Sequence, residues 1–75
     1  MNKYRRNQIN EIIKTLTTSR DELEALKDED QEAFDNYPEN LQYSERGEMM
    51  QEAIDTMEEA LSNVEEAIDT LLCII

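Results

Sequence analysis

The C-terminal part of the chain repeats a seven-residue pattern of apolar and polar positions three times over residues 51–71. Its apolar positions alternate in steps of four and three residues, which is the spacing of one face of a coiled coil or helical bundle. The pattern predicts a long amphipathic helix over about residues 44–74. We call its apolar positions the heptad seam, which consists of Met50, Ile54, Met57, Leu61, Val64, Ile68, Leu71 and Ile75. Small residues flank the seam and would let a second helix come close; they are Ala53, Ala60 and Ala67.

A second apolar pattern with helical spacing occupies the N-terminal half of the chain, although it is less regular. It runs through Ile9, Ile12, Ile13, Leu16, Leu23, Leu26, Ala33, Phe34 and Tyr37. Ser19 and Asp30 interrupt it, and Ser19 has the chemistry of a cap for a helix that restarts there. One continuous helix over about residues 3–35 is the simpler prediction. At 1.5 Å per residue, each predicted helix is about 45 to 50 Å long.

The segment between the two helices, residues 36–43, is predicted to be a loop. Pro38 disfavours helical geometry at the residue before it, so the first helix must end there. Ser44 is suited to cap the second helix, and Glu45 and Glu48 would interact favourably with the dipole of its first turn. A connection of about eight residues implies antiparallel neighbours. The predicted fold class is therefore all-α, with the whole chain forming one antiparallel helical hairpin.

A single hairpin of this length is expected to be only marginally stable. A chain this short buries about 60% of the surface that its unfolded form exposes. Cys73 is the only cysteine, so no disulfide can close a loop within the chain, and no histidine is present to complete a metal site. Self-association is the remaining route to a larger core. We therefore predict that hairpins pair, most simply as a homodimer, into a four-helix bundle with the heptad seam as the oligomer interface.

The net charge of −12 is unevenly distributed along the chain. Residues 1–20 carry five basic side chains against one acid, whereas residues 21–75 carry eighteen acids against two basic side chains. Such a field repels nucleic acid over most of the surface and favours basic partners. We expect no direct binding to nucleic acid. The low aromatic content predicts no cofactor and no small-molecule pocket within one chain.

The sequence contains no combination of residues that is typical of catalysis or of a metal site. The acidic run at residues 28–35 lacks the glycine of a calcium-binding loop and is interpreted as a solvated helix face. Neighbouring carboxylates such as Glu58 and Glu59 are not accompanied by a histidine, a nucleophile or a glycine-rich phosphate loop. A lone cysteine, no secretory signal and no membrane-length apolar run predict a cytoplasmic protein without membrane contact. The chain is thus predicted not to be an enzyme.

Two groups of residues are candidates for binding. Exposed tyrosines are frequent interface anchors, so the connecting loop is a candidate partner-binding site; its residues are Tyr37, Leu41 and Tyr43. The only basic stretch is a candidate anion-binding site, formed by Lys3, Arg5, Arg6 and Arg20. The simpler interpretation of both groups is structural: the loop folds onto the seam, and the basic start of helix one pairs with the acidic end of helix two. The acids concerned are Glu65, Glu66 and Asp69.

The segment Glu32–Glu48, EAFDNYPENLQYSERGE, followed by the three heptads, resembles small acidic proteins encoded by phages and prophages of Gram-positive bacteria. The resemblance covers roughly the C-terminal two thirds of the chain. These proteins have no assigned activity. The resemblance therefore implies a viral or mobile-element setting in a bacterial host cell and transfers no catalytic or binding residues. By analogy with small acidic phage proteins that occupy a host protein's binding surface, it also implies an anti-defence or host-takeover role.

Three functions are compatible with these features. The first is a protein interaction module, an inhibitor or adaptor that engages a host or phage protein through its acidic face or its loop. The second is a DNA mimic, which ranks lower because heptad spacing separates equivalent acids by about 10 Å, more than the roughly 7 Å between phosphates. Its charges would come from Glu52, Asp55, Glu59, Glu66 and Asp69. The third is a sponge that holds a small signalling nucleotide between protomers through the basic stretch, with Tyr4 stacking on a base.

Overall fold

The protein consists of two long helices and one short helix, as seen in a computed structural model that describes all residues, 1–75. Helix α1 spans Lys3–Asp35, α2 spans Glu39–Gln42 and α3 spans Glu45–Leu72. There are no strands. The prediction of an all-helical chain built on a pair of long helices is confirmed.

Local side-chain chemistry sets the ends of α1. The Asn2 side chain accepts a hydrogen bond of 2.8 Å from the Arg5 backbone N–H, which satisfies one of the free donors of the first turn. The helix continues through Ser19 without a restart. It ends at Asp35, three residues before Pro38, and the Asn36 backbone N–H still donates to the Glu32 carbonyl.

The start of α3 follows the predicted cap. The Ser44 hydroxyl oxygen accepts a 3.2 Å hydrogen bond from the Gly47 backbone N–H. Glu45 and Glu48 occupy the first turn, where the helix dipole favours negative charge. The sequence-based helix boundary at Ser44 therefore agrees with the structure, and its cause is the expected one.

The connecting segment is more ordered than the predicted loop, because it contains the one-turn helix α2. Pro38 has a φ of −53° and lies just before this turn, where a fixed φ and a missing N–H cost nothing. The Gln42 side-chain amide donates to the Phe34 and Tyr37 carbonyls, at 3.1 Å each. The Phe34 carbonyl also accepts from the Tyr37 backbone N–H, so Gln42 adds a second bond there and supplies a donor to the Tyr37 carbonyl, just beyond the end of α1. No local sequence pattern indicates this role of Gln42.

The two long helices lie alongside each other and run in opposite directions. Arg20 is in the electrostatic field of Glu65, and Lys27, seven residues further along α1, is in the field of Glu58, seven residues back along α3. The connection is also too short to return the chain along the length of a helix. The molecule is accordingly a rod, with Cα extents of 58 × 15 × 12 Å.

The apolar core is a narrow strip between α1 and α3. Its buried hydrophobic residues are Ile13, Ile54, Leu61 and Ile68, and Ile54 keeps no exposed surface. Three of the four belong to the predicted heptad seam. The structure thus corrects the seam's assignment as an oligomer interface for these positions, because they already pack within the chain. Periodicity identifies which face of a helix is apolar, but it does not identify which helix covers that face.

The rest of the seam retains surface. Its remaining positions within α3 are only half-buried; they are Met50, Met57, Val64 and Leu71. Ile75, beyond the end of α3, is 40% exposed. These five residues remain available to a second chain.

Gly47 is the only glycine and lies where α2 presses on α3. A Cβ added here would be 2.6 Å from the Leu41 carbonyl oxygen and closer still to that of Gln42. Both neighbours are backbone atoms, so neither can move aside without shifting α2. The absence of a side chain at this position is therefore what allows the connection to fold against the start of α3.

We predict that Gly47→Ala destabilises the protein. Alanine in a helix is normally worth about 1 kcal/mol more than glycine, but the clash with α2 should reverse the sign and give a net loss of about 1–3 kcal/mol. Urea unfolding followed by circular dichroism measures this change. Ser62→Ala, at an exposed position of the same helix, is the control and should be neutral or slightly stabilising. A stabilised Gly47→Ala variant would contradict the packing described here.

Candidate interaction surfaces

Positions seven residues apart lie in one row along a helix, and these rows describe how each surface is built. The inner rows face the opposite long helix. On α3 the inner row is apolar and consists of Ile54, Leu61 and Ile68. On α1 it consists of Ile13, Arg20, Lys27 and Phe34. Two cations thus occupy positions that would be apolar in a regular coiled coil.

Arg20 and Lys27 are held by the acid that follows each of them in sequence. The Arg20 guanidinium lies 2.9 Å from the Asp21 carboxylate, and the Lys27 ammonium lies 2.9 Å from that of Asp28. The hydrogen bond to Asp21 raises the pKa of Arg20, and that to Asp28 raises the pKa of Lys27. The acids of α3 nearest to them, Glu65 and Glu58, raise these pKa values further. Both cations are therefore already matched with negative charge.

The four residues of the candidate anion-binding site do not come together within a chain. Arg20 is paired with Asp21 and lies fourteen residues beyond Arg6, about 21 Å along the helix. Lys3, Arg5 and Arg6 remain as a group at the start of α1 and form no ion pair. One straight helix keeps Arg20 apart from the other three within a chain, so its membership of this site stays a prediction for a site shared between protomers.

The basic start of α1 extends beyond the end of α3. Every residue of the segment 1–8 is exposed, and Ile9 is the first that is partly covered. We call this segment the basic overhang. The expected pairing between its cations and Glu65, Glu66 or Asp69 does not form, since all three ion pairs of the structure join residues within α1. The register of the two helices leaves the overhang without a neighbour in its own chain.

Most of the surface carries unpaired negative charge. Only three of the nineteen acidic side chains take part in an ion pair. The acids considered for DNA mimicry are all exposed and all outside these pairs; they are Glu52, Asp55, Glu59, Glu66 and Asp69. They form two rows on α3, one of Glu52, Glu59 and Glu66 and one of Asp55 and Asp69, and within a row the spacing along the helix is about 10 Å or a multiple of it.

The connecting segment presents part of the candidate partner-binding site. Tyr43 is 78% exposed and Leu41 is 41% exposed, whereas Tyr37 is partly buried. Tyr43 therefore does not fold onto the seam as expected, and for Tyr37 the structure shows partial burial. The two exposed side chains form the tip of the rod together with α2.

One side of the helix pair is apolar and open. The position immediately before each inner-row residue forms an outer row, and in an antiparallel pair the two outer rows lie on the same side. On α1 this row is Ile12, Ser19, Leu26 and Ala33; on α3 and just beyond it is Ala53, Ala60, Ala67 and Ile74. Between them lie the half-buried Leu16, Leu23, Met57, Val64 and Leu71. We call the two outer rows and these five residues the apolar face.

The opposite side of the helix pair is polar. The positions four residues after the inner-row residues include Thr17, Glu24 and Gln31 on α1, and Glu58 and Glu65 on α3. Exposed apolar side chains are therefore concentrated on one side of the helix pair. Ile12 and Leu26, which contribute most to it on α1, are 51% and 56% exposed. The heptad pattern indicates the alanines of α3, but their place beside these two residues depends on how the helices pair.

Other kinds of site are not evident in the structure. The concavities are open grooves between neighbouring turns of one helix, such as that lined by Glu52, Ala53 and Thr56. No group of three or more acidic, cysteine or histidine side chains converges in a way that could hold a metal ion. Neither long helix is apolar enough over sufficient length to cross a membrane.

Comparison with known proteins adds no relative. No protein family model matches the chain. Neither a curated protein sequence nor a solved structure is significantly similar to it.

We predict that salt stabilises this protein. Unpaired carboxylates repel one another across the surface, and the three exposed ion pairs contribute too little to offset them. At constant protein concentration, raising NaCl from 50 to 500 mM should increase the melting temperature by several degrees, since screening shortens the range of this repulsion.

The combined substitution of Glu52, Glu59 and Glu66 by Gln is the matched control for the salt prediction. It should raise the melting temperature at low salt and reduce the dependence on salt. A melting temperature that falls as salt rises would mean that ion pairs outweigh the repulsion.

Proposed function

We propose that this chain is a non-enzymatic protein-binding module. It is an antiparallel helical hairpin that associates with itself into a four-helix bundle, and it acts as an inhibitor or adaptor by engaging a host or phage protein. The observation that carries the proposal is the presence of one open apolar face on a rod whose surface, outside the basic overhang, is mostly acidic. An apolar face of this extent on a small protein marks a protein contact.

The acidic surface supports a partner with a basic binding site. Exposed carboxylates such as Glu52, Glu59 and Glu66 are not neutralised within the chain. Their summed field would accelerate encounter with a positively charged patch and disfavour acidic partners. Tyr43 and Leu41, exposed at the tip of the rod, offer the apolar contacts that charge alone does not provide.

A DNA mimic is the second candidate, and the unpaired carboxylates of α3 favour it. Such a protein would compete with nucleic acid for the basic cleft of an enzyme. The heptad rows argue against close mimicry, because equivalent acids lie about 10 Å apart and phosphates of one strand about 7 Å. An adaptor or inhibitor needs no such match, and it is the proposal that we prefer.

A nucleotide sponge has less support. It requires cations from several protomers to converge on one ligand, and Arg20 is already paired with Asp21. Only the basic overhang could contribute. The direction in which two chains associate decides whether two overhangs meet, as considered below.

Affinity capture tests the proposed function. Tagged protein, applied to a lysate of a Gram-positive host, should retain one host protein in stoichiometric amount at 50 mM NaCl and lose it at 500 mM, because the contact is electrostatic. The triple variant with Gln at positions 52, 59 and 66 should retain at least tenfold less of that protein.

A matched variant tests whether the loss of capture is specific to the acids of α3. Substituting Glu22, Glu29 and Glu32 by Gln removes the same charge from exposed positions of α1 and should leave capture unchanged. Equal loss in both variants would indicate a non-specific charge effect. A captured nuclease that is released by added duplex DNA would favour the mimic, and no captured protein under any condition would refute the proposed partner binding.

A further inference from the structure

We propose that the apolar face binds a second copy of this chain with the two rods antiparallel, an arrangement that we call head to tail. Each basic overhang then lies against the acidic end of its partner that contains α2, which we call the connecting end. This inference rests on the self-association in the proposed function and specifies its surface and its direction. It is carried by the one-sided placement of the apolar residues and by the distribution of charge along the rod.

The apolar face has the composition of the inner surface of a four-helix bundle. Between Met50 and Ile74, every position of the outer row and of the half-buried row beside it on α3 is apolar. Large and small side chains alternate there, as in Met57, Ala60 and Val64, which lets facing helices interdigitate. The polar rows on the other side exclude a similar contact there. One additional helix pair is therefore enough to cover the apolar surface.

The size of the face matches a stable dimer. It extends over roughly 25 residues of each long helix, about 37 Å, and across two helices about 20 Å wide together. A surface of these dimensions is about 750 Å² per copy, close to the 800 Å² per partner of a standard specific interface. The chain's own core contains only four buried hydrophobic residues, so a second apolar layer would add substantially to it.

Closed two-fold symmetry allows two directions across this face. In the parallel dimer the two overhangs lie together and the two connecting ends lie together. In the head-to-tail dimer each overhang lies beside the partner's connecting end. The middle of the face is near Leu23. Arg5 and Arg6 lie about 26 Å from it in one direction, and the tip formed by α2 lies about 25 Å from it in the other, so these two cations come level with the partner's tip.

Charge selects the head-to-tail direction. The overhang carries Lys3, Arg5 and Arg6 and no acid, whereas the end of the rod that would lie level with it, residues 35–45, carries Asp35, Glu39 and Glu45 and no basic residue. The parallel dimer would bring like charges together at both ends of the bundle, and the head-to-tail dimer brings opposite charges together at both. Like-charge contact is disfavoured and fixes the orientation of helical bundles in this way. It also gives the overhang the neighbour that its own chain does not supply.

The direction can be measured with one spin label per chain. In a Cys73→Ser background, Asn7→Cys places the label on the exposed overhang. Pulsed dipolar spectroscopy should give a distance of about 45 Å or more between the two labels of a head-to-tail dimer, and about 25 Å in a parallel one. The native Cys73, also exposed, should give about 35 Å against about 20–25 Å by the same geometry.

The surface can be tested by sedimentation. The chain should sediment as a dimer, and Leu26→Glu combined with Ala60→Glu should weaken the dimer at least tenfold, because both positions lie in the outer rows. Gln31→Glu combined with Gln51→Glu adds the same charge to the polar side and is the matched control, expected to remain dimeric. Circular dichroism of all variants separates loss of association from loss of helix.

Each outcome is decisive. The short distance would overturn the head-to-tail direction while self-association stands, and it would bring two overhangs together as the nucleotide sponge requires. A dimer that persists in the Leu26→Glu and Ala60→Glu variant would overturn the apolar face as its surface. A monomeric wild type would overturn the second copy as occupant altogether, whereas capture of a host protein would still support the partner binding of the proposed function.

Discussion

The structure depends on one constraint, which is that two helices alone can bury only a narrow strip of side chains between them. The inner row of α3 supplies most of that strip, with Ile54 entirely covered and Leu61 and Ile68 nearly so. The other features of the structure follow because each long helix covers only one face of the other. Side chains one position away from the inner rows are already exposed, and the chain compensates at one end with α2, which closes the connection through backbone contacts. The apolar face is the apolar surface that the helices of one chain leave uncovered.

Arg20 and Lys27 favour one register of the helix pair over others. An apolar inner row on both helices would permit slippage by one heptad, since the repeats of α3 are nearly identical. The two cations instead lie level with Glu65 and Glu58. The same alignment brings Ile13 level with Leu72, where the repeat departs from glutamate. In this register Arg20 and Lys27 face acids of α3, and Ile13 faces Leu72. A shift of α3 by seven residues along α1 would disrupt both kinds of contact.

Some of this architecture could be predicted from the sequence and some could not, for physical reasons. Heptad spacing and the Ser44 cap are local signals, and they gave the bounds of the long helices to within two residues. The roles of Gln42 and Gly47 depend on how α2 meets α1 and α3, a tertiary contact that no local pattern encodes. The division of the seam into covered and open positions likewise depends on which helix lies opposite. Arg20 lies about 21 Å from Arg6 because one straight helix separates positions that are fourteen residues apart in sequence.

The length of the basic overhang has a consequence for how such a chain can grow. It is about one repeat long, and Arg6 continues the inner row in which Arg20 and Lys27 lie at intervals of seven. A gene duplication that added a heptad to the end of α3 would therefore find its opposite helix already present. Its first glutamate would lie opposite Ile13 and the displaced Leu72 opposite Arg6, so the rod could lengthen within its repeats only with matching changes at these two positions of α1.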